Sequence, residues 1–185
     1  TKQLLEELDR ALNRILPAWP GDDRQNDLPR GQIHADLFPD NVFFLDHKVS
    51  GLIDFYFACT DFLAYDVAIC LNAWCFSEDG AFNETFAQQM IAGYESVRPL
   101  TSAERDALPV LCAAAPTRFA LTPLYDWINT PTDAMVTRKD PMDHIHRLRF
   151  RRAVSSRQLY RVSNTRHYGN PSRSRPRCQD RATRG

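Results

Sequence analysis

GQIHADLFPDNVFFLD, residues 31–46, decides how the fold is interpreted, because a polar cluster lies there between two apolar runs. The cluster extends from His34 to Asn41 and contains two aspartates. The flanking segments QIHAD and NVFFLD predict short strands, and DHK predicts a tight reversal before a further strand, VSGLIDF, at residues 49–55. The polar cluster is therefore expected in a loop between strands, with a β-hairpin directly after it.

Helical patterns dominate the chain outside this segment. An amphipathic repeat spans residues 2–16 and stops at Pro17, and a mostly apolar helix is expected from Asp61 onward. Thr101 and Glu104 have the spacing of a capping box, which marks the start of another helix. The expected fold class is α+β, mainly α-helical. The other predicted helices lie between Phe82 and Val97, over residues 104–128 with kinks or breaks at Pro109, Pro116 and Pro123, and after the N-cap Asp140.

Composition indicates a globular protein of a reducing compartment. Hydrophobic residues make up 43% of the 185 residues, which is ordinary for a soluble domain. No signal peptide is recognisable and no apolar run approaches the length of a membrane span, so no membrane partner is expected. The five cysteines are an odd number and include no C-x-x-C pair. Buried free thiols are therefore favoured over disulfides, and the cytoplasm is the expected location.

The distribution of charge divides the chain into two parts. Residues 147–185 hold 12 Arg and one acidic residue, whereas residues 1–146 hold 22 acidic and 11 basic residues. We predict one domain over residues 1–154 and a basic, Arg- and Ser-rich tail over residues 155–185. The tail has too few apolar residues to offset the entropy lost on ordering, which favours disorder. The alternatives are an arm that binds nucleic acid without specificity and an altered C-terminal end.

Four polar side chains in and after the loop fit the chemistry of phosphoryl transfer. His34, Asp36 and Asn41 form the pattern H-x-D-x-x-x-x-N, and Asp54 follows at the end of the next strand. One carboxylate must take the proton of the acceptor hydroxyl, while an amide oxygen and a second carboxylate hold Mg²⁺ against the phosphates. Asp36 fits the first role, and Asn41 with Asp54 fits the second. The pattern without Asp54 would fit a solvated turn equally well.

HADLFPDN followed by IDF resembles the catalytic and metal-binding loops of the protein-kinase-like superfamily, in particular its aminoglycoside phosphotransferase and choline kinase group. The longer stretches GLIDFYFACTDFLAYDVAICLNAWCF and RKDPMDHIHRLRF resemble the homoserine kinases of that group. The resemblance implies the C-terminal lobe of a kinase-like fold over residues 1–154. It implies that Asp36 is the catalytic base and that Asn41 and Asp54 bind Mg²⁺. It also implies that His34 and Asp66 support the loop, although a purely structural partner for Asp66 is an equal alternative.

The resemblance further implies ATP and Mg²⁺ as cofactors and L-homoserine as the phosphoryl acceptor. The stretch LNAWCF lines the acceptor side in related kinases, so Asn72 and Trp74 are candidate substrate contacts, although a tryptophan of this kind is more often a core residue. The carboxylate of homoserine requires a cation, for which Arg118 is the candidate. The alternatives are another small-molecule kinase, for choline, methylthioribose or an aminoglycoside, and a non-catalytic remnant that only binds a partner.

A kinase of this group also needs a nucleotide-binding lobe, with a flexible loop over the phosphates and a lysine that contacts them. The chain has seven Gly and no G-x-G pattern. Its three lysines, Lys2, Lys48 and Lys139, do not lie on a plausible strand before the catalytic loop. We therefore expect the C-terminal lobe without the N-terminal lobe, and little or no kinase activity from this chain alone.

Overall fold

The computed structural model describes residues 2–21, 28–77, 79–129 and 142–153, and its fold is α+β and mainly helical, as predicted. The predicted N-cap Asp140, the domain boundary at 154 and the tail 155–185 lie outside the described residues. In chain order the elements are α1 (Lys2–Ala18), β1 (Arg30–Ile33), a 3₁₀ turn (Pro39–Asn41), β2 (Val42–Leu45), β3 (Lys48–Leu52), a second 3₁₀ turn (Phe55–Phe57), β4 (Cys59–Phe62), α2 (Leu63–Ala73), α3 (Glu84–Val97), α4 (Ser102–Asn129) and α5 (Met142–Ala153).

The predicted hairpin after the polar cluster is confirmed. β2 and β3 pair antiparallel, and Leu45 lies opposite Lys48 at the closed end. The two loop residues between them, Asp46 and His47, have φ angles of 47° and 60°. Positive φ at both positions is the geometry of a type I′ turn, whose twist matches that of two paired strands.

A second antiparallel ribbon joins β1 to β4, with Ile33 opposite Cys59. The sequence pattern does not predict β4: it places Asp61 near the start of a helix, whereas Asp61 lies on β4 and α2 begins at Leu63. A four-residue strand carries little pattern of its own, so its partner far upstream defines it. The ribbon sets β1 directly against α2: a Cβ at Gly31 would lie 2.8 Å from Leu63 Cδ2.

α2 lies at the centre of the helical layer and packs against β1, α3 and α4. Its predicted burial is confirmed, since Ala64, Ala68, Ile69 and Leu71 are completely inaccessible to solvent. α4 packs in turn against α1 and α5. Each large apolar side chain contributes roughly 1.5–3 kcal/mol when fully buried. This layer is therefore the rigid base on which the loop after β1 rests.

α4 begins with the predicted capping box, which is confirmed. Thr101 Oγ1 accepts a hydrogen bond from the backbone N–H of Glu104 at 3.1 Å, and Glu104 Oε2 accepts one from the backbone N–H of Thr101 at 2.8 Å. The other carboxylate oxygen of Glu104 lies 2.9 Å from Arg98 Nη2. These partners allow the Glu104 side chain to be completely buried.

The predicted helix stop at Pro17 is wrong, and the later helix is not divided at its prolines. α1 continues through Pro17 to Ala18 instead of stopping before the proline. α4 is one helix of 28 residues that passes through Pro109, Pro116 and Pro123 without division. The three prolines recur every seven residues, so the hydrogen bonds that they remove lie near one face of the helix. Packing against α1, α2 and α5 stabilises α4 despite these losses.

One helix within the described ranges is long and apolar enough to cross a membrane. It is the stretch Ser102–Tyr125 of α4, so the prediction that no apolar run reaches this length is wrong. More than half of its most apolar window is buried inside the structure. Core helices of globular proteins also have this length and composition, so the stretch is weak evidence for a membrane span.

Candidate active site

The loop between β1 and β2 has a strained backbone at the residue before the predicted base. Ala35 has a φ angle of 61°, in the left-handed region that residues with a Cβ rarely adopt. Such a conformation costs about 1–3 kcal/mol and persists where the surroundings over-determine it. Side chains from two other parts of the fold, Asp66 of α2 and Arg118 of α4, bind the N–H and the carbonyl of Ala35.

Asp66, in the first turn of α2, binds the backbone of the loop. Its two carboxylate oxygens accept hydrogen bonds from the backbone N–H groups of His34 and Ala35, each at 2.8 Å. Bonds of an ionised acceptor to backbone N–H groups are among the stronger hydrogen bonds of proteins. The structure therefore gives Asp66 contacts that suit the loop-supporting role implied by the sequence.

Asn41, at the end of the first 3₁₀ turn, faces the predicted base. Its Nδ2 donates to the backbone carbonyl of Asp36 at 2.7 Å and to the Asp36 carboxylate at 3.1 Å. Both contacts use the nitrogen of the amide, so neither uses Oδ1. The Asn41 side chain is buried, which fixes its orientation relative to Asp36.

His34 links the loop to the strand end that carries Asp54. Its Nε2 lies 2.8 Å from the carbonyl oxygen of Ile53, and its ring lies 4.6 Å from the ring of Phe55. Asp54, between those two residues, has a φ angle of 61° and an exposed side chain. The backbone N–H of Ile53 also donates to the Asn41 carbonyl at 3.1 Å. Asp54 is thus connected to both ends of the polar cluster.

The electrostatic surroundings of Asp36 suit a proton acceptor. Partial burial raises the pKa of the Asp36 carboxyl above its usual value, and the nearby charge of Asp54 raises it further. The hydrogen bond from Asn41 and the positive charge of Arg118 act in the opposite direction, and the net shift is upward. A carboxylate with a raised pKa binds a proton more readily and is a better general base near neutral pH.

The donor set at the end of the hairpin suits Mg²⁺. The Asp54 carboxylate and the uncommitted Oδ1 of Asn41 are hard oxygen ligands, which Mg²⁺ prefers. Two protein ligands suffice for this ion, because phosphate oxygens and water complete its octahedron. Within the described ranges there is no cluster of three or more His, Cys, Asp or Glu side chains that could hold a metal by itself.

The described hydrogen bonds of Asn72, a sequence-based candidate for substrate contact, lie within the helical layer and not at the loop. Its Nδ2 donates to the carbonyls of Ala68 and Cys112, at 2.8 and 3.1 Å. Its Oδ1 accepts from Arg151 Nε at 3.1 Å. The side chain is buried between α2, α4 and α5, so its polar atoms stabilise helix packing.

Trp74 and Arg118 do reach the loop, at its backbone. Trp74 Nε1 donates to the carbonyl of Leu37 at 2.8 Å, and Arg118 Nη1 donates to the carbonyl of Ala35 at 2.8 Å. The sequence singles out both residues as acceptor contacts and does not predict these backbone partners. No local signal could show them, because each contact joins residues 37 or 83 positions apart.

The hairpin and the turn after it expose an apolar surface beside the site, which the sequence reading missed. A signal was present: NVFFL and FYF are apolar at consecutive positions, so alternating side chains point to both faces of the ribbon. Exposed large apolar side chains that cluster beside a polar site are candidates for contact with a ligand or a partner. The side chains concerned are 41–86% exposed and belong to Phe43, Phe44, Leu45, Val49, Leu52, Ile53, Phe55, Tyr56 and Phe57.

Comparison with known proteins identifies what the chain resembles. A family model described as the phosphotransferase enzyme family matches residues 1–100. The homoserine kinase of Gluconacetobacter diazotrophicus is 70% identical over 157 residues, which are 85% of this chain and 48% of that protein. The homoserine kinase of Granulibacter bethesdensis is 61% identical over 155 residues, and that of Rhizobium johnstonii is 56% identical over 160 residues. The chain spans about half the length of the curated relatives it matches.

Proposed function

Because the chain belongs to the phosphotransferase enzyme family, we propose that the protein containing it transfers the γ-phosphoryl group of ATP to the hydroxyl of L-homoserine. The observation that carries this proposal is the convergence of Asp36, Asn41 and Asp54 at one end of the β2–β3 hairpin. Relatives that share 56–70% identity with the chain bear the name homoserine kinase. The cytoplasm is the proposed location of the reaction, since ATP is available there.

Asp36 is the proposed general base. Its carboxylate accepts the proton of the homoserine hydroxyl as the oxygen attacks the γ-phosphorus in line with the leaving group. Its raised pKa supports this role, since it lets the carboxyl retain the proton during the step. The hydrogen bond from Asn41 holds the carboxylate in one orientation, which lowers the entropic cost of reaching the attack geometry.

Asn41 and Asp54 are the proposed ligands of Mg²⁺, through Oδ1 and the carboxylate. When bound, the ion neutralises charge on the phosphate oxygens. His34 and Asp66 are the proposed supports of this pair and of the base. His34 connects the loop to the Ile53 carbonyl beside Asp54, and Asp66 holds the amides that precede Asp36.

The acceptor itself needs a cation for its carboxylate. The sequence offers Arg118 for this role, and Arg118 lies close enough to Asp36 to lower the pKa of the Asp36 carboxyl. Trp74 is the other residue that the sequence places beside the acceptor. Both side chains already bind loop carbonyls, so neither is wholly available to the acceptor.

The test of the proposed function is an assay of the complete gene product with ATP, Mg²⁺ and L-homoserine, read by mass spectrometry of the phosphorylated product. We expect O-phosphohomoserine, and a decrease in its formation of about 10²–10⁴-fold for Asp36→Asn. Asp40→Asn, which changes an exposed carboxylate on the same loop, is the matched control and should retain activity. Phosphorylation of choline, methylthioribose or an aminoglycoside with homoserine inert would contradict the acceptor assignment.

A further inference from the structure

Most of the peptide groups from His34 to Leu37 form a hydrogen bond with a side chain. Asp66 accepts from the first two N–H groups, and Asn41 donates to the carbonyl of Asp36. The carbonyls on either side of Asp36 are bound by side chains that approach from the helical layer, through Arg118 and Trp74. The carbonyls of the two residues that flank the proposed base are thus bound by parts of the chain that lie far from it in sequence.

Arg118 binds the carbonyl before Asp36 and also has a side-chain hydrogen bond with Tyr65. Its Nη1 donates to the Ala35 carbonyl at 2.8 Å. The guanidinium carbon lies 4.7 Å from the ring centroid of Phe119 and 5.3 Å from that of Phe57. Contacts with two rings restrict the guanidinium plane and reduce the rotational freedom lost when the hydrogen bond forms. The bond acts on Ala35, the residue with the strained φ angle.

Trp74 holds the carbonyl on the other side of Asp36. It directly follows α2, and its indole Nε1 donates to the Leu37 carbonyl at 2.8 Å. Indole N–H can only donate, so this bond uses the whole polar capacity of the side chain. The Trp74 ring also lies 6.1 Å from the ring of Phe44 on β2, in an edge-to-face arrangement.

From these contacts we infer that Arg118 and Trp74 are positioning residues, which set the orientation of Asp36 by holding the Ala35 and Leu37 carbonyls. The effect on kcat rests on the proposed function, whereas the effect on loop order rests on the described hydrogen bonds alone. The alternative is that Arg118 and Trp74 bind the acceptor directly. The committed indole N–H and the ring contacts of the guanidinium favour positioning.

Amide hydrogen exchange of the 185-residue chain tests the inference without any assay of catalysis. Arg118→Met and Trp74→Phe each remove the hydrogen bond to the loop carbonyl and leave an apolar side chain at the position. We expect loop amides 34–38 to exchange at least about tenfold faster in both variants, because the peptides lose their outer partners. Arg118→Lys, which keeps a positively charged donor group, should retain part of the protection.

Two controls match these changes away from the loop. Arg105 lies on α4, as Arg118 does, and Arg105→Met removes its ion pair with Glu95 of α3. Trp19→Phe replaces a tryptophan whose ring packs against Phe62 and Tyr65. Neither should alter exchange of amides 34–38. Circular dichroism verifies that each variant is folded. Unchanged loop exchange in folded Arg118→Met and in Trp74→Phe would overturn the inference.

Kinetics of the complete gene product separate positioning from acceptor binding. Positioning predicts that Arg118→Met lowers kcat about 10–100-fold with the homoserine KM within about threefold, since misplacing a catalytic group slows chemistry more than binding. Trp74→Phe should lower kcat about fivefold, the size of one neutral hydrogen bond. A homoserine KM raised at least tenfold with kcat unchanged would instead assign Arg118 to the acceptor carboxylate and overturn the inference. If the wild type leaves homoserine unphosphorylated, the proposed function fails, whereas the exchange data still decide the positioning role.

Discussion

The side-chain amide of Asn41 donates to both the backbone carbonyl and the carboxylate of Asp36, at 2.7 and 3.1 Å. One residue therefore orients the proposed base, while its Oδ1 is the atom proposed above to bind Mg²⁺. The two functions are coupled, because a shift of the Asn41 side chain would move both the carboxylate of Asp36 and the proposed Mg²⁺ ligand Oδ1. The burial of Asn41 prevents such a shift.

Asp36→Asn separates stability from activity. Burial raises the pKa of the Asp36 carboxyl, so the folded protein disfavours its charge, and a neutral amide of the same shape removes that penalty. We expect a melting temperature equal to or above that of the wild type, measured by circular dichroism. A lowered melting temperature would show that the Asp36 charge stabilises the fold.

Asp66→Asn should destabilise the fold as well as the loop. The amide group of asparagine would place a donor against one of two backbone N–H groups that the carboxylate now accepts. We expect the free energy of unfolding to decrease by about 2–3 kcal/mol, measured by urea denaturation. Asp40→Asn, an exposed change in the same segment, should stay within about 0.5 kcal/mol of the wild type. Equal effects of the two changes would contradict the bracing contacts.

The capping box of α4 predicts the order in which three substitutions lower the free energy of unfolding. Thr101→Ala should cost about 1 kcal/mol of unfolding free energy, the usual size of a lost N-cap. Glu104→Ala should cost more, because it also leaves Arg98 without its carboxylate partner and opens a space in a buried position. Glu104→Gln should lie between the wild type and Glu104→Ala, since an amide oxygen can still accept from the Thr101 N–H. Urea denaturation of the three variants tests this order.

Cys75 gives a pH dependence that can be followed directly. Burial raises the pKa of its thiol from about 9 to about 11, with Arg151 lowering it and Cys112 raising it. The folded state therefore keeps the thiol protonated where the unfolded chain would ionise. This contribution to stability is complete below pH 9 and is lost as the pH rises towards about 11.

Peptide-resolved alkylation at pH 8.5 checks the state of Cys75. We expect iodoacetamide to label the exposed Cys59 in the folded protein and to leave Cys75 unmodified until urea is added. Rapid labelling of Cys75 without denaturant would contradict its burial. Urea denaturation at pH 8 and pH 10.5 should show lower stability at the higher pH, and Cys75→Ala should reduce that difference.

The local sequence pattern predicted a structural feature correctly where the physical cause of that feature lies in neighbouring residues. Alternation and turn residues predicted the hairpin, whose two-residue loop takes the positive φ angles that a tight reversal needs. The spacing of Thr101 and Glu104 predicted a helix start, because a capping box closes within one turn. The polar spacing around the loop named Asp36, Asn41 and Asp54 as the candidate catalytic group and metal ligands. The roles of these three residues stay predictions until the assays above are done.

The sequence by itself determined the mainly helical class, the β-hairpin and the residues of the polar loop, because periodicity, turn chemistry and capping are properties of neighbouring residues. Only the tertiary structure decided that β1 pairs with β4, that Asn72 is bound within the helical layer, and that Trp74 and Arg118 hold the loop. These contacts join distant parts of the chain. A donor such as a guanidinium can bind any carbonyl within reach, and packing of the helices selects which carbonyl that is.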